Sequence, residues 1–191
     1  MILITGGSGF IGSNLSKRLS EGSRAFANYD IRPSPVFPER HTLLDILDYD
    51  KFKDLSRFDT IVHLAAEHRD DVKPVSKYEQ TNVVGTANVA AAARESGVNR
   101  IVFTSTVAVY GFAEPGTDED GAINPFNEYG RTKYEAEKIL QEWQAEDPDT
   151  RSLTIVRPTV VFGPGNRGNV FNLLNTIHSG RFFMLGDGAK R

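Results

Sequence analysis

Tyr129 and Lys133 stand four residues apart in the segment 128–146, whose pattern predicts a helix, so the two side chains share one face. A free phenol titrates at a pKa of about 10. An ammonium beside it favours the phenolate and makes a general base usable near neutral pH. Ser105 and Thr106 directly follow the apolar run 100–104. A hydroxyl at such a strand end can hydrogen-bond a substrate alcohol or the reacting tyrosine. A second group lies at the start of the chain. The β-rich run 2–5 passes straight into Gly6-Gly7-Ser8-Gly9-Phe10-Ile11-Gly12, which opens a helical stretch. Glycine permits a tight turn and close approach of a ligand. The N–H groups and positive end of the following helix attract phosphates. Asp30 ends the next apolar run, about twenty residues beyond the turn, where a carboxylate can accept from ribose hydroxyls. Turn, helix and carboxylate together form the pattern of a dinucleotide site. The carboxylate repels a 2′-phosphate and favours NAD over NADP, whereas Arg32 two residues on would welcome that phosphate.

These residues need a scaffold, and the apolar pattern supplies one. Runs 2–5, 25–29, 60–64, 100–104 and 153–156 read as buried parallel strands. Helical patterns cover 11–19, 50–55, much of 75–96, 128–146 and 170–178, and long loops cover 32–40 and 111–127. Strands alternating with helices predict an α/β fold, a doubly wound parallel sheet with right-handed crossovers. After Pro158 the alternation breaks into a Gly163-Pro164-Gly165 turn, a helix and a strand-like stretch at 182–185. We therefore expect a dinucleotide-binding domain over 1–158 and a second region beginning at 159.

Composition narrows the function classes. A net charge of −3 leaves no electrostatic footprint for nucleic acid or an anionic membrane surface. The chain has no cysteine, which removes disulfides, thiolate nucleophiles and cysteine metal sites. His41, His63, His68 and His178 show no metal-ligand spacing, so no metal is expected. No apolar run is long enough to cross a bilayer, and a cytoplasmic protein is expected. The charge cluster Glu67-His68-Arg69-Asp70-Asp71 reads as a solvated loop or a substrate contact, and Asn166-Arg167 as a helix start or a phosphate contact.

Gly6-x-x-Gly9-x-x-Gly12, Asp30, Asp45-Ile46, His63-Leu64-Ala65-Ala66, Thr81-Asn82, Ser105-Thr106-x-x-Val109-Tyr110-Gly111, Tyr129-x-x-x-Lys133 and Arg157-Pro158 occur in that order. The series resembles the extended short-chain dehydrogenase/reductase superfamily, in particular its NAD-dependent nucleotide-sugar epimerases and dehydratases. The resemblance implies a Rossmann fold. It places Gly6, Gly9, Phe10, Ile11 and Gly12 at the pyrophosphate, Asp30 at the adenosine ribose, and Asp45 and Ile46 around the adenine. Leu64, Ala65 and Ala66 would line the cofactor, Asn82 would stand near the nicotinamide ribose, and Thr159 would flank the nicotinamide. Thr106 matches the catalytic hydroxyl, Tyr129 the base, and Lys133 its partner, which also reaches that ribose.

Two departures sharpen the reading. Dehydratases carry Asp-Glu after the catalytic threonine, and sugar-acid decarboxylases place an acid there, whereas this chain has Val107 and Ala108. That argues against both reactions and leaves epimerisation of a nucleotide sugar, by transient hydride transfer and a keto intermediate, or net ketoreduction. Many relatives have Asn where Val160 stands. The resemblance further implies a substrate domain of which 159–191 would be only the start, so a catalytically inactive NAD-binding fragment stands as a third reading. By analogy with relatives, two copies would pair through the helices bearing 87–93 and Tyr129.

Overall fold

The computed structural model describes residues 1–69 and 72–183. The chain divides into two compact units, Met1–Thr159 and Val160–Arg191.

In the first unit the apolar runs become parallel strands: β1 (Ile2–Thr5), β2 (Phe26–Asp30), β4 (Thr60–His63), β5 (Arg100–Thr104) and β6 (Ser152–Val156). A further strand, β3 (His41–Leu43), pairs in parallel with β2. The sheet order is β3-β2-β1-β4-β5-β6. The chain builds outward from β1 to β3, then returns past β1 to lay down β4. Ligands of such sheets sit outside the carboxyl ends of the strands, where the order reverses. Here that edge carries Thr5-Gly6, His63-Leu64 and Thr104-Ser105.

The flanking helices are α1 (Phe10–Glu21), α2 (Tyr49–Phe52), α3 (Ser76–Tyr78), α4 (Gly85–Glu95) and α5 (Glu128–Ala145). Leu3, Ile61, Ile101 and Phe103 of the central strands are fully buried. They form one core with Val89, Ala92 and Ala93 of α4 and Ala136, Leu140 and Trp143 of α5. The alanines let α4 lie close against both sheet and α5, because they add no side chain beyond Cβ. The second unit contains α6 (Asn169–His178).

Several expectations change. β3 lies just beyond the expected loop 32–40, whose end is the 3-10 turn Pro38–Arg40. It has three residues and Leu43 is 67% exposed, so no apolar pattern marks it. The second strand ends at Asp30, so the sheet itself fixes that carboxylate. β6 is an edge strand of alternating exposure, where a buried strand was expected. The helix expected within 75–96 is one α3–α4 rod interrupted by a π turn, Glu79–Val84. Residues 182 and 183 form no strand, and Met184 and Leu185 lie outside the described residues, as do Asp70 and Asp71 of the charge cluster.

His63 ties the strand edge to the helices. Its Nδ1 lies 2.7 Å from Thr5 Oγ1 and its Nε2 3.0 Å from Thr86 Oγ1. Thr86 donates its own hydroxyl hydrogen to the Asn82 carbonyl at 2.6 Å, so it accepts from His63 Nε2–H. Nδ1 then accepts from Thr5, and the ring is neutral. Complete burial, reinforced by the nearby Lys133 charge, lowers the His63 pKa to about 3.

Between pH 6.5 and about 3 the unfolded chain binds a proton at His63 that the folded chain refuses, so stability falls as pH falls through that window. We expect His63→Gln to flatten this acid limb by up to about 1.4 kcal/mol per pH unit. Urea midpoints measured down the limb test it, and identical slopes for the two proteins would refute the buried neutral ring.

Candidate active site

The glycine turn is built by contacts no side chain could share. Gly6 has φ 71°, and a Cβ there would lie 2.6 Å from the Ala65 nitrogen, so the turn presses on the backbone leaving β4. A Cβ on Gly12 would lie 2.6 Å from Gly7 Cα, which sets the first turn of α1 directly on the glycine turn. Gly9 caps α1 without a side-chain hydrogen bond, and the first turn carries no acidic residue. Helix geometry leaves the N–H groups of Phe10, Ile11 and Gly12 without intrahelical acceptors. The turn therefore fits a diphosphate.

Asp30 is buried at the end of β2, where its Oδ2 accepts from Ser8 N–H at 3.0 Å and its Oδ1 from Arg32 N–H at 2.9 Å. This clamps the carboxylate to the glycine turn, while each oxygen keeps a lone pair for a hydroxyl. The Arg32 side chain is exposed and folds back to 3.8 Å from Asp30 Oδ1. Leu44 N–H donates to the Asp30 carbonyl at 3.0 Å, which sets the following Asp45-Ile46 turn beside it. Ile46 is buried against Gly85, where a Cβ would meet it at 2.5 Å, whereas Asp45 is exposed and accepts from Leu47 N–H at 2.9 Å.

Leu64, Ala65 and Ala66 are half-buried beyond β4. Asn82, in the π turn, holds the next residue of that segment. Its Oδ1 accepts from Glu67 N–H at 2.8 Å, and its Nδ2 donates to the Glu67 carbonyl and to Thr132 Oγ1, both at 3.0 Å. The Asn82 side chain thus joins the segment after β4 to α5, and its amide is engaged by protein groups.

The residues expected to do chemistry are brought together by the meeting of two elements. Thr106 opens the 3-10 turn Val107–Tyr110 and its Oγ1 accepts from Ala108 N–H at 3.2 Å. Val107 N–H donates to the Pro158 carbonyl at 3.2 Å, tying this turn to the Arg157-Pro158 segment. Thr159 is exposed and closes the first unit. Asn127 caps α5, accepting from Gly130 N–H at 2.8 Å. Gly130 lies so close to the turn that a Cβ would stand 2.5 Å from the Ala108 carbonyl oxygen. Tyr129, half-buried, is therefore delivered next to the turn that carries Thr106. Ser105 Oγ, beside Thr106, is buried without a hydrogen-bond partner among the described residues.

Lys133 is 2% exposed, with its ammonium 4.0 Å from the centre of the Phe103 ring. Burial lowers its pKa to about 7, against a smaller opposing pull from Glu137 one turn further along α5. Asn127, Gly130 and Glu137 shape this candidate site and were not expected from the sequence. The capping asparagine and the Tyr129–Lys133–Glu137 spacing of four were the signals present for them. Among the described residues, no group of three or more His, Asp or Glu is gathered as a metal site.

The model of the NAD dependent epimerase/dehydratase family matches residues 2–191. The chain is 47% identical over 189 residues to an N-acetyl-alpha-D-glucosaminyl-diphospho-ditrans,octacis-undecaprenol 4-epimerase of Escherichia coli O157:H7, covering 98% of this chain and 57% of that protein. It is 33% identical to a UDP-glucose 4-epimerase of Vibrio cholerae, covering 94% of this chain and 57% of that protein. The solved structure of MoeE5 in complex with UDP-glucuronic acid and NAD superposes with a TM-score of 0.81 at 31% identity, covering 92% of this chain and 60% of that one. The chain thus spans little more than half the length of the curated relatives it matches.

The bridge made by Asn82 is open to a direct measurement. Asn82→Ala leaves the Glu67 N–H and carbonyl without their partner, and we expect a loss of about 2–4 kcal/mol in urea unfolding. A loss below about 0.5 kcal/mol, the usual range of an inconsequential surface change, would show that Asn82 is not the tie between α5 and the segment after β4.

Proposed function

The chain belongs to the NAD-dependent epimerase/dehydratase family, and on that premise we propose that it carries the cofactor site and the base of a 4-epimerase acting on a hexose linked through a diphosphate. What supports this reading is the meeting of Gly130 with Ala108, which brings the start of α5, where Tyr129 stands, against the turn that Thr106 opens. Both relatives named above are 4-epimerases of a hexose on a diphosphate, one polyprenyl-linked and one nucleotide-linked. The reaction class is transient oxidation of a sugar alcohol to the ketone and re-reduction from the opposite face, with no net redox change.

The site fits NAD. The N–H groups of Phe10, Ile11 and Gly12 would hold the diphosphate, and Asp30 the ribose hydroxyls. Asp45 and Ile46 would stand near the adenine, and Leu64, Ala65, Ala66 and Thr159 along the rest. When bound, NAD supplies a reversible hydride acceptor. Tyr129 removes the proton from the reacting hydroxyl. Thr106 Oγ1 already accepts from Ala108, so its hydrogen is left to donate to the reacting oxygen. The Lys133 ammonium favours the Tyr129 phenolate. Val107 and Ala108, in the turn after Thr106, offer no second acid or base for a dehydration.

Thermal unfolding with NAD and NADP at equal concentrations tests the cofactor site. NAD at 100 times its dissociation constant adds about 2.7 kcal/mol, a shift of several degrees. The larger shift is expected with NAD, because of Asp30, and no shift with either would remove the site. Tyr129→Phe should cut epimerisation of UDP-glucose or UDP-N-acetylglucosamine at least about a hundredfold at an unchanged melting temperature. Near-normal turnover in that variant would remove Tyr129 from the mechanism. A steady absorbance at the reduced-nicotinamide band accompanies epimerisation, whereas stoichiometric change there would mark a ketoreductase.

A further inference from the structure

Lys133 carries its amine in the interior, and the groups that bear on it among the described residues come from three elements. On its own helix these are Tyr129 one turn back and Glu137 one turn on. From β4 comes His63, kept neutral by its complete burial, and β5 contributes the uncharged Phe103 ring. Glu137 is 0% exposed and is the carboxylate placed to neutralise the lysine as a buried ion pair. Its oxygens are engaged elsewhere. Arg157, just beyond β6, donates from Nε to Oε1 at 3.0 Å and from Nη2 to Oε2 at 2.6 Å. A guanidinium gripping a carboxylate with two parallel bonds fixes its plane as well as its position.

The same guanidinium reaches further. Its Nη1 donates to the Tyr110 hydroxyl at 2.5 Å and to the Glu119 carbonyl at 3.1 Å, and the group lies over the Tyr110 ring at 5.0 Å. Tyr110 ends the turn that Thr106 opens, and Glu119 belongs to the acidic loop 111–127. One arginine therefore joins α5, the Thr106 turn and the loop.

We propose that Arg157 is a positioning residue for the Lys133 charge: by holding both oxygens of Glu137 it withholds that carboxylate from the lysine and leaves the ammonium to Tyr129. The acidic loop, through Glu119, is braced on the same pair. The proposal deepens the assignment of Lys133 as the partner of Tyr129 and takes its catalytic meaning from that assignment. Its electrostatic content stands without it.

Without Arg157 the buried Glu137 carboxylate loses its partner, and the buried cation one turn back on α5 is Lys133. The lysine should then keep its proton to higher pH. The test is an NMR titration of the ligand-free chain carrying lysine labelled with ¹³C at Cε, the Lys133 signal being the one missing in Lys133→Met. The unaltered chain should titrate near pH 7, as burial dictates. In Arg157→Gln the midpoint should rise by about one pH unit or more, which is about tenfold in the protonation equilibrium. Arg157→Lys keeps the charge but cannot grip both oxygens, and should give a smaller rise. It serves where Arg157→Gln does not fold. In the Arg157→Gln/Glu137→Gln double variant the midpoint should return to the starting value or below. An unmoved midpoint in both single variants, or an unaltered chain that titrates near the ordinary lysine pKa, overturns the proposal. Because neither cofactor nor sugar is present, a chain that turns over no substrate can still pass or fail this test.

Discussion

A charge taken out of water is the constraint around which the first unit is organised. An ammonium in the protein interior is disfavoured unless neighbours compensate, and Lys133 is buried between α5 and the sheet. The Phe103 ring from β5 offers it a π face. His63, which would repel it if protonated, is kept neutral by its complete burial and sits between two threonine hydroxyls. Glu137 lies one turn away, but Arg157 binds it. Four elements thus share in setting one charge. That arrangement explains why residues far apart in the chain belong to a single working unit.

The positions without side chains do comparable service for shape. Gly6, Gly12 and Gly130 each lie where a Cβ would collide with backbone that cannot yield. The first two bring the start of α1 onto the end of β1 and against the segment after β4. Gly130 brings the start of α5 onto the turn opened by Thr106. The glycine turn and the start of α5 are thus placed by the same device, backbone resting on backbone. Such contacts are stiff, because no rotamer can relax them.

The central sheet was readable in the sequence because its strands are buried on both faces and appear as unbroken apolar runs. The runs at 2–5 and 100–104 correspond to the observed strands residue for residue. The edges were harder. β3 is short and shows no pattern, and β6 alternates because one of its sides is uncovered. Among the candidate site residues, Tyr129, Lys133, Thr106 and Asp30 stood out because each belongs to a local motif. Arg157 stood out only as part of the Arg157-Pro158 motif, and Glu137 not at all. Their meaning is a contact across 20 residues of chain, and only the fold closes it. Asn82 was noticed, but its bonds to Glu67 and Thr132 depend on how two elements approach each other, which periodicity does not encode.

The π turn at Glu79–Val84 carries a consequence for how this chain can change over evolutionary time. A π turn is one residue wider than an α turn and amounts to a single residue inserted into a helix. Upstream of it, Tyr78 is anchored by its hydroxyl to the Arg69 carbonyl, and downstream the face bearing Val89, Ala92 and Ala93 is committed to the core. Removing one residue between these anchors would restore a regular helix, but each α-helical residue turns the rod by about 100°. Either anchor would then leave its seat, and Asn82 would swing away from Glu67. Substitutions along this stretch can be absorbed one at a time, whereas length cannot drift. The segment is therefore a place where lineages are expected to differ in letters and agree in count.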